Sequence, residues 1–174
     1  MRTKSAAKKA RRTSGTAEST SPSPSEPDLF SISLRGDENE TVPIFDSCDE
    51  IRSKIEDHFE ETGMTKAAFL RDISRAAFPS ASPPIKIQTK QLSDFSEMYG
   101  ATTGNANRVY YAAYVYFEKK RLSEGTGKSE HRLRMEKEWG AKGVGRKLNH
   151  YRWVTARWDE EIVEDDVGRI RVIR

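Results

Sequence analysis

The stretch Asn107–Leu122, N-R-V-Y-Y-A-A-Y-V-Y-F-E-K-K-R-L, is the densest aromatic segment of the chain and limits what the rest can fold around. Val109, Ala112, Ala113, Tyr116 and Phe117 recur at the three-four spacing of one helical face. Tyr110 and Tyr114 widen that face, so the spacing predicts a helix covered on more than one side, the centre of a small bundle. Asn107 is placed to accept from a free N–H of the first turn. Lys119, Lys120 and Arg121 fall in the last turn, where positive charge meets the negative end of the helix dipole.

A central helix needs partners, and the chain supplies three before it. Ser47 and Glu50 form an S-x-x-E capping box, followed by Cys48, Ile51, Ile55 and Phe59 on one face and Gly63 as a stop. Thr65 caps a helix over Lys66–Ala77 that buries Phe69, Ile73, Ala76 and Ala77, and Pro79, Pro83 and Pro84 hold the extended stretch after it. Thr89 caps a third helix, Lys90–Tyr99, with Leu92, Phe95 and Met98 or Tyr99 inward and Gly100 as its stop. Beyond Leu122, Ser129 caps a short charged helix to Trp139. Gly140, Gly143 and Gly145 predict a flexible basic loop, and Asp165-Asp166-Val167-Gly168 reads as the turn of a β-hairpin. The fold class is mainly α: a four- to five-helix bundle with a small C-terminal β-hairpin.

The flanks differ in composition. Residues 1–28 read as a disordered tail, basic at first and then Ser-Pro-rich, with nothing to bury. Its cluster Lys8, Lys9, Arg11 and Arg12 is of the nuclear-import or phosphate-binding kind. Residues 29–44 form an acidic arm in which Phe30, Ile32 and Leu34 alternate like a strand, residues 45–122 the helical domain, and residues 123–174 a basic extension. Cys48 is the only cysteine of the chain, which excludes an intrachain disulfide and favours a reducing compartment. No apolar run approaches the ~18 residues of a membrane span, and the basic N-terminus lacks the apolar core of a secretory signal.

Cys48-Asp49-Glu50-Ile51, Gly63-Met64-Thr65-Lys66-Ala67-Ala68-Phe69 and Tyr110-Tyr111-Ala112-Ala113-Tyr114 with Phe117-Glu118-Lys119-Lys120-Arg121 together resemble an uncharacterised domain family of fungal proteins with a helix-turn-helix look. The resemblance covers about Phe45–Arg134 and implies no enzymatic activity. Gly63–Phe69 is also similar to the start of the first helix of repressor-type DNA-binding motifs. Such motifs join their helices by roughly three to four residues, whereas Phe78–Gln88 intervenes here.

Charge is uneven. Acids dominate from Glu18 to Glu61 and bases from Arg108 to Arg157, the latter interleaved with His131, Trp139, His150, Tyr151 and Trp153. Bases among aromatics suit a phosphate backbone with exposed bases; the alternative is that the basic half neutralises the acidic half of the same domain. Tyr111, furthest from the proposed buried face, is the candidate stacking residue. His58, His131, His150 and Cys48 lack metal-ligand spacing, so no metal or cofactor is expected, and the glycines at 140, 143 and 145 lack the G-K-[ST] of a phosphate loop. The resulting expectation is a nuclear, non-enzymatic nucleic-acid-binding protein, DNA being the expected target. Lys90, Gln91 and Ser93 would face bases, and Lys119, Lys120, Arg121, Arg146 and Lys147 would contact phosphates. The alternative is a protein-interaction module with no nucleic-acid role, which predicts an exposed apolar patch.

Overall fold

The computed structural model of the chain describes residues 28–146 and 155–174. The expected helices are all present: α1 (Cys48–Thr62), α2 (Lys66–Ala77), α3 (Thr89–Ser96), α4 (Arg108–Ser123) and α5 (Glu130–Trp139), followed by strands β1 (Glu161–Glu164) and β2 (Ile170–Ile173). Helix α4 is the axle. Asn107 caps it by accepting from Val109 N–H at 2.9 Å, and every residue from Val109 to Tyr116 is buried. It packs against α2, α1 and α3, so the widened aromatic face reflects burial all round. This overturns the expectation for Tyr111. It is fully buried, tilted against Phe78, and the arm's Val42 and Ile44 join the same core. With α4 enclosed, no tyrosine between 110 and 114 stands outside the core.

Local rules account for most of the helix ends. Ser47 accepts from Glu50 N–H at 3.2 Å, yet the second half of the expected capping box is not made by Glu50. The Ser47 N–H donates instead to Nε2 of His131 on α5 at 3.3 Å, while Glu50 turns to Lys54. Helix α1 buries His58 more deeply than Phe59, and Gly63 closes it at φ 61°, returning its N–H to Phe59 O. Thr65 caps α2. Helix α3 begins one residue earlier than expected, because Gln88 and Gln91 cap each other reciprocally, and it ends at Ser96. The helical period therefore stops short of Tyr99, which lies 85% exposed, and Met98 is only half-buried.

The arm docks and adds no strand. Leu29 and Phe30, in the 3-10 turn Leu29–Ser31, pack on the core together with Leu34, which precedes a second turn, Asp37–Asn39. Stretches read as flexible are likewise held. Gly143, at φ 65°, lies so close to the Ile44 backbone that a Cβ would collide with it, and Val144 N–H donates to Ile44 O at 2.8 Å. Met135, Val144 and Val167 form a satellite core with Phe45 and Trp139 at its edge. Val167 belongs to the hairpin turn, and its carbonyl accepts from Trp139 Nε1 at 2.8 Å, which ties the hairpin to α5. The strands pair antiparallel with Ile162 opposite Val172. No helix among the described residues is long and apolar enough to cross a membrane.

Candidate binding surfaces

Among the described residues, each base expected at a phosphate or a base edge has a partner within the fold. Lys90 is exposed but gives Nζ to both oxygens of Asp94, one turn on, at 2.7 and 2.9 Å. Gln91 spends its side-chain carbonyl on Gln88 N–H at 2.9 Å, and Ser93 is half-buried. Lys119 requires correction. Its side chain is 2% exposed, and Nζ bonds Asp37 Oδ2 at 2.8 Å and Ala76 O at 2.9 Å. A buried ammonium held by a carboxylate and a carbonyl cannot reach a phosphate. Lys120 lies 4.0 Å from Glu61 and 3.8 Å from Glu124. Arg121 forks onto both oxygens of Glu118 at 3.0 Å and donates to Thr126 O. Arg146 stacks over the Tyr111 ring at 3.8 Å and donates to Glu40 O. Lys147, His150, Tyr151 and Trp153, and the tail bases Lys8, Lys9, Arg11 and Arg12, lie outside the described residues.

These groups do not converge either. Gln91 O accepts from Asn107 at the start of α4, whereas Lys120 and Arg121 sit at its other end, roughly 18 Å away along the axis. Elsewhere in the basic half, Arg132 binds Glu118 at 2.6 Å and Glu136 at 3.1 Å, Lys128 takes Glu136, Arg134 takes Asp166, and Arg171 takes Asp165. Burial alone would raise the Glu118 carboxyl, but hydrogen bonds from Arg121 and the charge of Arg132 outweigh it and hold the group below its ordinary range. In the described part of the basic half, neutralisation by acids of the same fold is the prevailing arrangement.

Two clefts mark the helical domain. The smaller, about 290 Å³, lies where the end of α1 meets α4 and the link to α5, and Lys54, Asp57, Glu61, Lys120 and Arg132 line it. His58 sits at its base among Phe69, Tyr116 and Phe117, 4% exposed, with neither ring nitrogen hydrogen-bonded in the described structure. Burial first, then Lys120, lowers its pKa from 6.5, against weaker opposition from Glu61 and Asp72. Cys48 is packed and unreactive: burial pushes its thiol up to about 12, with Arg52 opposing. No group of three or more His, Cys, Asp or Glu among the described residues is arranged to hold a metal ion.

The larger cleft, about 770 Å³, runs between α2 and the segment 79–89. Its construction follows from the sequence. Pro79, Pro83 and Pro84 can neither continue the helix nor supply N–H donors, so the chain leaves α2 extended. It returns alongside because Ser74 donates its hydroxyl to Ile85 O and because Ile87 is buried in the core. The α2 wall presents two adjacent i,i+4 rows, Ala67-Arg71-Arg75 and Leu70-Ser74-Phe78. The opposite wall is Ala81, Pro84, Ile85, Lys86, Ile87 and Thr89. From Ala67 to Phe78 the floor spans about 16 Å of helix. Among the described residues, no aspartate or glutamate lines this groove, and Arg71, Arg75 and Lys86 have no carboxylate within 4.0 Å. Arg75 lies over the ring of Phe30 at 4.1 Å. Sequence reasoning missed this surface because it placed the contact residues on the third helix and in the basic half. The usable signal was the pair of i,i+4 rows on α2 followed by a proline-held return.

Residues 42–127 match a family described as a domain of unknown function, DUF7726. No curated protein and no solved structure matches the chain. The matched span contains α1 to α4 and both walls of the larger groove, and leaves out most of the arm, α5 and the hairpin.

Proposed function

We propose that this protein, in which residues 42–127 match the DUF7726 domain, is a non-enzymatic interaction module that seats a segment of a partner protein in the groove between α2 and residues 79–89. The observation that carries this is an apolar groove of about 770 Å³ along three turns of an otherwise well-packed helix, open to a ligand and floored by Leu70, Phe78 and Ile85. Elongated grooves with an apolar floor are what an extended or helical peptide needs for its anchoring side chains. A small-molecule site would bring several polar groups together on the ligand, whereas the buried hydroxyl here, that of Ser74, is committed to Ile85 O. The tail cluster Lys8, Lys9, Arg11 and Arg12 would serve nuclear import.

The competing reading is helix-turn-helix-like DNA binding through Lys90, Gln91 and Ser93, and one experiment separates the two. A photoreactive phenylalanine analogue is placed at Ala67, exposed in the groove, and in a second variant at Lys137 on α5, outside it. Cells are irradiated, and the extract is treated with nuclease. A protein adduct at position 67 that survives nuclease and is absent at position 137 supports the module. Adducts found equally at both positions, or only with nucleic acid intact, overturn it. In parallel, duplex DNA is titrated across a salt series. A slope of about one released counterion per proposed contact would favour the DNA reading, and a flat response the module.

A further inference from the structure

We infer that the partner segment is acidic as well as apolar: Asp or Glu side chains flanking the residues that fill the groove. This rests on the interaction reading above and adds the chemistry of the occupant. Across the described surface, many bases are neutralised in place. Arg52 has Asp49, Lys54 has Asp46, Lys90 has Asp94, and most bases of α4, α5 and the hairpin have an acid within 4.0 Å, whereas Arg35, Lys66, Arg108, Lys137, Lys142 and Arg157 have none among the described residues. Arg71, Arg75 and Lys86 also lack such a partner, and what sets them apart is that all three line the same apolar groove, with no acid among its described lining residues. Arg71 and Arg75 are one turn apart on α2, and Lys86 faces them from the extended wall, so three positive charges flank an apolar floor from both sides.

The sign of this field selects the occupant. A basic or neutral segment gains only the apolar floor, whereas carboxylates beside the anchors gain three charge-assisted contacts at the rim. The chain's own first 27 residues are unsuited, with six bases, Arg2, Lys4, Lys8, Lys9, Arg11 and Arg12, against two acids, Glu18 and Glu26. Duplex DNA has the right charge but offers no narrow apolar wedge to fill a cleft floored by Leu70 and Phe78. A peptide with Leu or Phe spaced one helical turn apart and Asp or Glu between them satisfies both features.

The test uses the full chain and a random twelve-residue peptide library displayed on phage, selected at low salt and again at moderate salt. Selected peptides are synthesised with a fluorescent label and titrated against the wild type, Arg71→Glu, Lys86→Glu and Ala67→Trp, all three at exposed positions. Circular dichroism confirms that each variant is folded. The expected result is enrichment of Asp or Glu with Leu or Phe, affinity reduced about tenfold or more by each charge reversal, and affinity abolished in Ala67→Trp, where the indole fills the groove. Neutral or basic peptides that Ala67→Trp displaces, with Arg71→Glu without effect, would overturn the acidic preference and leave the groove reading standing. Peptides indifferent to Ala67→Trp, or no enrichment at all, would overturn both. Self-association that Arg71→Glu removes, measured by sedimentation, would assign the groove to a second copy and overturn the foreign segment.

Discussion

Lys119 shows how much one residue's meaning depends on its surroundings. In sequence it belongs to a Lys-Lys-Arg triplet at a helix end; in the fold it is a buried ammonium locked to Asp37 and Ala76 O. Removing one member of a buried pair leaves an uncompensated charge, so Asp37→Ala should cost about 3–5 kcal/mol in urea denaturation. Lys119→Met, which removes the charge and keeps the stem, should cost about as much while Asp37 remains, and replacing both together should cost less than the sum. A double variant that is strictly additive would show the pair to be uncoupled. His58 carries the pH prediction. Its folded pKa lies below 6.5 while the unfolded chain titrates near 6.5. Below that pH the unfolded state takes up a proton that the folded state refuses, so stability is full above about pH 7 and falls as the pH drops toward 5. His58→Phe should flatten the stability profile in that window. Loss linked to Glu118, whose folded pKa is also lowered, belongs to the separate range below about pH 4.5.

At the scale of elements, caps and stops were legible because they are local. Ser47, Thr65, Asn107 and Ser129 each accept from the N–H expected of a helix cap. The errors arose where a distant group competed. His131 took the N–H that the Ser47–Glu50 box would have used, and Ile44 turned a glycine-rich stretch into a fixed contact. The hairpin was readable from its turn, but its anchoring was not. Gly168 sits at φ 80°, where a Cβ would come within 2.5 Å of Thr102 Cγ2. Gly168→Ala should therefore detach the turn from its seat. The expected observation is a shift of the Trp139 indole N–H resonance, which now donates to Val167 O, with the signals of α1 to α4 unchanged. Simultaneous loss of the core signals would show that the hairpin is integral to the bundle.

For the molecule as a whole, the matched domain and the folding unit differ. Residues 42–127 omit Leu29, Phe30 and Leu34, which pack on the core, and Asp37, which neutralises Lys119. They also omit Arg132, whose guanidinium lies over the rings of Phe45 and Tyr114 and binds Glu118. A chain limited to residues 42–127 should accordingly be less stable than residues 28–146, by at least the roughly 3 kcal/mol of the uncovered ion pair. Thermal or urea unfolding of the two checks this, and equal midpoints would show the arm and α5 to be accessories.

The sequence by itself determined the number and order of helices, most of their ends, the burial of the aromatic segment and the existence of the hairpin. All of these depend on periodicity and on groups within one turn of each other. Tertiary structure decided the long-range share of the charge pairing, which depends on the side chains that distant parts of the chain bring within about 4 Å, whereas pairs such as Lys90 with Asp94 and Arg121 with Glu118 are local to one helix turn. Asp37 reached Lys119 and Glu118 reached Arg132 only by folding. Folding also left Arg71, Arg75 and Lys86 beside an apolar groove with no acid among the described residues to meet them.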